Sequence, residues 1–273
     1  AGIAAGLIKP TMPPLNTHLV IGERVFRQKR DLPPVPQLME APGCRSRYGH
    51  FLLGCLLPDV NSFSNQVIDR RVTHFVGRLD EDGDASFCAN FLDRLNDLLK
   101  RPWDALTDAD RAFVTGYLCH LAADETWKAW SAELRRVLNI ASFDELSAPP
   151  NVILTAFSVL SHTLYQDFTT VYASLSEASV PDIFTHVPHR YFQTMWTIIQ
   201  PVLKLGDQPA SYFRMAERAQ TPATELQAIL EAHATYWDEA VALIQQLGGV
   251  APFIHKAVAH ALYILAEFEK AMG

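Results

Sequence analysis

Five polar residues stand in runs of apolar sequence, where a helical protein buries its core. His18 lies in Asn16-Thr-His-Leu-Val-Ile-Gly22, and Asp59 closes Phe51-Leu-Leu-Gly-Cys-Leu-Leu-Pro-Asp59. His74 sits in Arg71-Val-Thr-His-Phe75, and His120 and Asp124 share Gly116-Tyr-Leu-Cys-His-Leu-Ala-Ala-Asp124. An imidazole and a carboxylate four residues apart lie on one side of a helix, a turn from each other. Phe113, Tyr117 and Trp127 fall at spacings of three and four from them, so the pair belongs to the face that should be buried. Leaving a buried charge without its partner costs about 3–5 kcal/mol. Such residues therefore hydrogen-bond one another, form an acid–base pair in a cleft, or hold a metal. Histidine with aspartate is a nitrogen and oxygen donor set suited to zinc, and less selectively to manganese or iron. A lone buried histidine is more often a hydrogen-bonded core residue; five such residues in one chain weigh more than any one of them.

These residues need helices to position them, and helical periodicity runs through the chain. A first helix is expected from Asn16 or Thr17, either of which can cap it. The segment from Asp31 to Gly43, with Pro33, Pro34, Pro36 and Pro42, reads as an extended loop. A short helix should cover Arg45 to Leu56 and stop before Pro58. Ala85 to Lys100 is amphipathic. Thr107 caps the next helix, with Asp108 and Asp110 in its first turn, and that helix should reach Leu138. Further helices are expected over Val152–Ser174, Tyr191–Leu205, Thr221–Leu247 and Pro252–Ala271. No Asn-Gly or Asp-Gly pair is flanked by alternating apolar residues, so hairpins are not expected. The fold class is all-α, a multihelical single domain over 12–273, with 1–11 an added or disordered leader ahead of Met12.

Composition narrows the function classes. Hydrophobic residues make up 49 % of the 273, enough for a core. A net charge of -7 argues against stable nucleic-acid binding through a basic face, though bound metal would reverse the local field. The four cysteines, Cys44, Cys55, Cys88 and Cys119, form no CxxC pair and read as buried thiols. No run of about 20 apolar residues marks a transmembrane segment. With no secretion signal visible, a cytoplasmic location is expected. The oligomeric state is open.

In the order and spacing of its four motifs, the first half of the chain resembles the superfamily of zinc-dependent phospholipases C and P1-type nucleases. That resemblance implies an all-helical fold around a zinc cluster. It matches His18 to an early histidine ligand, and Asp59, His74, His120 and Asp124 to the ligands of a bridged zinc pair, with Asp124 as the bridge. The family has a further histidine shortly after the motif that carries His120 and Asp124; here that stretch is Glu125-Thr-Trp-Lys-Ala-Trp130, without one. It also has a histidine with an acid one turn on, for which His162 is the candidate. Gln166 occupies the acidic position and Asp167 lies one residue beyond. One or two metal ions are thus expected rather than three. The implied activity is metal-dependent hydrolysis of a small-molecule or lipid phosphodiester, in which metal polarises a phosphoryl oxygen and lowers the pKa of bound water. Asp59, besides ligation, is the catalytic candidate that would orient or deprotonate that water. The alternative is a non-catalytic protein that keeps the fold and a structural metal. An HD-type phosphohydrolase would need an adjacent His-Asp pair, which the chain lacks.

Other residues read as ordinary. Glu125 is expected on a solvated helix face, His50 in a loop or at a helix start, and His186 and His189 in a loop around Pro188. His233, His255 and His260 read as plain helix residues, and Trp127, Trp130, Tyr165 and Phe168 as core.

Overall fold

The helix that carries His120 and Asp124 is fixed at both ends by its own residues. Thr107 Oγ1 accepts from the Asp110 amide at 3.1 Å, and Asp110 Oδ2 accepts from the Thr107 amide at 3.1 Å, a reciprocal cap. At the far end Asn139 turns left-handed (φ 53°), a conformation asparagine tolerates, and Arg135 and Arg136 occupy the last turn. The expected limits, Thr107 and Leu138, are those found.

A computed structural model describes residues 14–30, 44–63, 67–75, 86–140, 145–164, 168–203 and 223–272. The helices are α1 (Leu15–Arg30), α2 (Cys44–Leu56), α3 (Arg70–Thr73), α4 (Phe87–Leu98), α5 (Asp108–Leu138), α6 (Pro150–Thr163), α7 (Phe168–Glu177), α8 (His189–Leu203), α9 (Ala223–Gln246) and α10 (Ala251–Met272). Tighter 3-10 turns cover Leu57–Phe63 and Trp103–Ala105. Among the described residues there is no strand, only an isolated bridge between Leu99 and Phe184, and the fold is all-α. Within them, no single helix is long and apolar enough to cross a membrane.

α5 is the axis. α2 packs across it, α10 runs against it, and α1 and α4 complete its surroundings. α2 is buried almost all round, with Phe51, Leu52, Leu53, Cys55 and Leu56 all inside, because α1, α5 and α7 all pack on it. It approaches α5 closely enough that a methyl group on Gly54 would overlap the Phe113 carbonyl oxygen, and one on Gly116 the Phe51 carbonyl. α10 has a one-sided stripe, Phe253, Ile254, Ala257, Val258, Ala261, Leu265 and Phe268, at helical spacing. An aromatic cluster of Trp127, Trp130, Phe157 and Phe253 joins α5, α6 and α10.

Two expectations change. α1 begins at Leu15, because the Pro14 carbonyl already accepts from the amides of Thr17 and His18. Thr17 is therefore inside the helix, and its hydroxyl donates to Ser161 Oγ on α6 instead of capping. The single helix expected over Val152–Ser174 is two: α6 stops at Thr163, and α7 starts at Phe168. The hydroxyls of Ser161 and Thr163 bond back to the carbonyls of Phe157 and Leu160, which weakens the ladder near the stop. The segment 1–11, the proline-rich 31–43, the Thr221–Pro222 start, and Tyr165, Gln166 and Asp167 lie outside the described residues.

Candidate metal centre

The five polar residues are delivered by four local devices. His18 is in the first turn of α1. Pro58 converts the end of α2 into a 3-10 turn, and Asp59 projects from it. α3 is one turn long, capped by Asp69, whose side chain accepts from the Arg71 amide; His74 is the residue that closes it. After His74 the backbone swings through a left-handed conformation at Phe75 (φ 55°). That is an unfavourable place for an aromatic residue, and Asn90 Nδ2 holds the Phe75 carbonyl there at 2.9 Å. His120 and Asp124 come from the middle of α5, one turn apart.

All five side chains are 0–4 % exposed, and they converge. His18 Nε2 is 3.4 Å from Asp124 Oδ1 and 4.0 Å from Asp59 Oδ2. His74 Nε2 is 3.1 Å from Asp124 Oδ2 and 3.4 Å from Asp59 Oδ1. His120 Nε2 is 3.7 Å from Asp59 Oδ1 and 3.9 Å from Asp124 Oδ2. The rings of His18 and His120 stack with centroids 3.8 Å apart.

The second nitrogens fix the tautomers. His120 Nδ1 is 2.8 Å from the Cys55 carbonyl, which can only accept, so Nδ1 carries the proton. Thr73 Oγ1 donates to the Arg70 carbonyl and hence accepts from His74 Nδ1 at 2.8 Å. Tyr117 in turn donates its hydroxyl to the Thr73 carbonyl at 2.6 Å. In their neutral forms both rings therefore point Nε2 lone pairs inward. Outer partners of this kind are what orient histidines that bind metal.

Electrostatics divides the group. Burial alone would raise Asp59 and Asp124, but His120, His74 and, for Asp124, Arg70 outweigh it and hold both carboxyls below their usual range. Burial and the neighbouring His120 push His18 down to about 3, and burial also lowers His120. Burial and Arg70 work against the charged form of His74, yet the carboxylates of Asp124 and Asp59 beside it prevail and raise it. Burial and the neighbouring charges thus favour the ionised form of both carboxylates, the neutral form of His18 and His120, and the protonated form of His74.

A divalent metal fits these residues. His18 Nδ1 and Nε2, Asp59 Oδ1 and Asp124 Oδ1 are buried and make no hydrogen bond. Buried polar atoms without partners are costly, and a cation is the partner that two carboxylate oxygens and an imidazole lone pair together lack. Among the described residues two sets of ligand atoms lie close enough for one ion: His18, His120 and Asp124, and Asp59, His74 and His120. His162, on the last turn of α6, is in neither set.

Several neighbours had no signature in the sequence. Arg70 Nη2 donates to Asp124 Oδ2 at 2.5 Å, from a side chain that remains 25 % exposed. Thr73 and the Cys55 carbonyl orient the two histidines. Glu125, expected in solvent, is half-buried. Its Oε1 accepts from Ser86 Oγ at 2.6 Å and the Cys88 amide at 2.9 Å, and its Oε2 lies 2.7 Å from His260 Nε2. It ties α5 to the start of α4 and to α10, so His260 is more than a plain helix residue. His50, expected at a loop or helix start, lies buried within α2, with Nδ1 2.7 Å from the Ser46 carbonyl. Cys55, Cys88 and Cys119 are buried free thiols, as expected.

A scan against protein-family models finds no match, and searches of curated proteins and of solved structures find none either.

Proposed function

We propose that the chain is a metal-dependent hydrolase of phosphodiesters that holds two divalent ions, zinc by preference, through His18, Asp59, His74, His120 and Asp124. The observation that carries this reading is the placement of Asp124: Oδ1 faces His18 and Oδ2 faces His74. One Nε2 lone pair serves one ion, so His120 cannot complete both sets at once. Asp124 can, with one oxygen for each ion. Two ions would then have three protein ligands each: His18, His120 and Asp124 for one, His74, Asp59 and Asp124 for the other. Three protein ligands leave a coordination position open, the arrangement of catalytic rather than structural zinc.

Bound there, metal would polarise a phosphoryl oxygen and supply hydroxide at neutral pH. The protein's part is to keep the histidines in the correct tautomer through Cys55 and Thr73, and to hold Asp59 ionised beside the metal as the group that orients the attacking water. A phosphodiester remains the substrate class implied by the motif resemblance.

The complete burial of all five ligands favours a second reading. A single ion enclosed by four or five of them would be structural, and the protein a metal-stabilised scaffold. Elemental analysis of protein kept away from metal-affinity resin separates the two. Two equivalents, with metal-dependent cleavage of bis(p-nitrophenyl) phosphate, support the hydrolase. One equivalent without cleavage supports the scaffold, and no uptake on dialysis against zinc, manganese or iron sinks both.

A further inference from the structure

Two cations stand one helical turn outward from two of the proposed ligands. Arg70 precedes His74 by four residues across α3, and Lys128 follows Asp124 by four on α5. Both reach the same ring: the Arg70 guanidinium carbon lies 5.9 Å from the centroid of Phe87, and the Lys128 ammonium also lies 5.9 Å from it. Phe87, the first residue of α4, is buried and meets His74 edge-on at 6.4 Å. The ring is thus a pedestal between the buried ligands and two charges that remain within reach of water, Arg70 partly and Lys128 well exposed. Cations over an aromatic face are held in place rather than waving in solvent. Arg70 is fixed further by Asp124.

We infer that Arg70 and Lys128 form an anion cradle at the mouth of the metal centre that receives the non-bridging oxygens of a phosphoryl group. The inference rests on the metal-centre reading above. Arg70 pairs with Asp124 and Lys128 stands one turn beyond it, so divalent ions held by the two carboxylates would make the mouth positive in a chain whose net charge is -7. The guanidinium presents a fork of N–H donors matched to paired phosphoryl oxygens, and the lysine adds a point charge. Among the described residues, Glu125, next to Asp124, already has its carboxylate engaged by His260, Ser86 and the Cys88 amide.

The test is orthophosphate binding to zinc-loaded protein by calorimetry, with zinc content measured in every sample. Lys128→Gln is expected to weaken binding roughly tenfold and Arg70→Gln more, with part of the Arg70 loss restored in Arg70→Lys, as removal of charge-assisted bonds requires. Glycerophosphocholine and a dinucleotide then compete for the site, and displacement by either supports the cradle and names the source of the phosphoryl group. Phosphate affinity equal to that of the parent in both Gln variants, at equal zinc content, overturns the cradle and leaves the metal centre standing. So does displacement by neither diester. Protein that binds no zinc overturns both.

Discussion

His74 and His120 present Nε2 to Nε2 across 3.2 Å, and in each ring the other nitrogen is already engaged, by the Thr73 hydroxyl and the Cys55 carbonyl. Two lone pairs directed at each other repel unless a cation lies between or beside them. A proton on His74, shared with Asp124, is one solution; a metal is the other. Proton and metal therefore compete for one place, and metal uptake should release protons. His120→Ala and Asp124→Ala should each lose metal by a hundredfold or more in affinity, on the order of what even outer partners of metal ligands cost. His233→Ala, on α9, should keep it. Equal metal content in the three proteins, read by elemental analysis, would falsify the assignment.

Removal of metal should cost stability as well. An ion that binds only the folded chain contributes about 4 kcal/mol at a thousandfold excess over its dissociation constant. In a chain of this size chelation should lower the melting temperature on the order of 10 °C. Thermal scans with and without EDTA check this, and coincident transitions would mean that the five side chains settle their charges among themselves.

Glu125 adjoins a proposed ligand but has a different task. Its carboxylate, held below its usual range against burial by His260, Ser86 and the Cys88 amide, sits at the start of α4, where the helix dipole favours negative charge. Glu125→Ala strands those donors and should destabilise the fold by about 2–3 kcal/mol. Metal content should stay that of the parent, measured on the same preparation. Loss of metal in this variant would show that Glu125 belongs to the centre instead.

His186 sets a pH dependence of its own. Burial against Phe75, Tyr117 and Phe184, with Arg94 nearby, pushes it down to about 4, and neither ring nitrogen has a hydrogen-bond partner. Between its folded value and the ordinary value near 6.5, the unfolded chain binds the extra proton. Stability therefore rises with pH through that window and is lost as pH falls from about 6.5 toward 4. His186→Phe should flatten this part of a plot of melting temperature against pH. An unchanged slope would show that the loss on acidification arises elsewhere.

Much of the centre was legible because a polar side chain inside an apolar run is conspicuous. His18, Asp59, His74, His120 and Asp124 all announced themselves that way, and the structure brings all five together. α5 was legible to the residue because Thr107, Asp110 and the basic last turn act locally. The supports were not. Arg70 looks like any surface arginine until α3 is folded beside α5, and the Cys55 carbonyl is a backbone atom with no sequence signature. Glu125 read as solvated because its three partners lie 37 to 135 residues away. The break between α6 and α7 was missed because no proline or glycine marks it.

The close crossing of α2 and α5 links the fold to the chemistry. Gly54 and Gly116 face each other at the contact, and the next residue along α2 is Cys55, whose carbonyl orients His120. Gly116→Ala would drive a methyl group into the Phe51 carbonyl and push α2 away from α5, costing about 3 kcal/mol by overpacking. The displacement would also draw the Cys55 carbonyl from His120, so zinc affinity should fall roughly tenfold or more, as loss of an outer hydrogen bond does elsewhere. Gly49→Ala is the control. Its methyl would strike the Ser174 carbonyl of α7 instead, on another contact of the same helix, with a comparable stability cost. Calorimetry with zinc on both folded variants separates the two effects: if Gly49→Ala and Gly116→Ala weaken zinc equally, the loss reflects a general loosening of α2, and the Cys55 bond has no particular hold on His120.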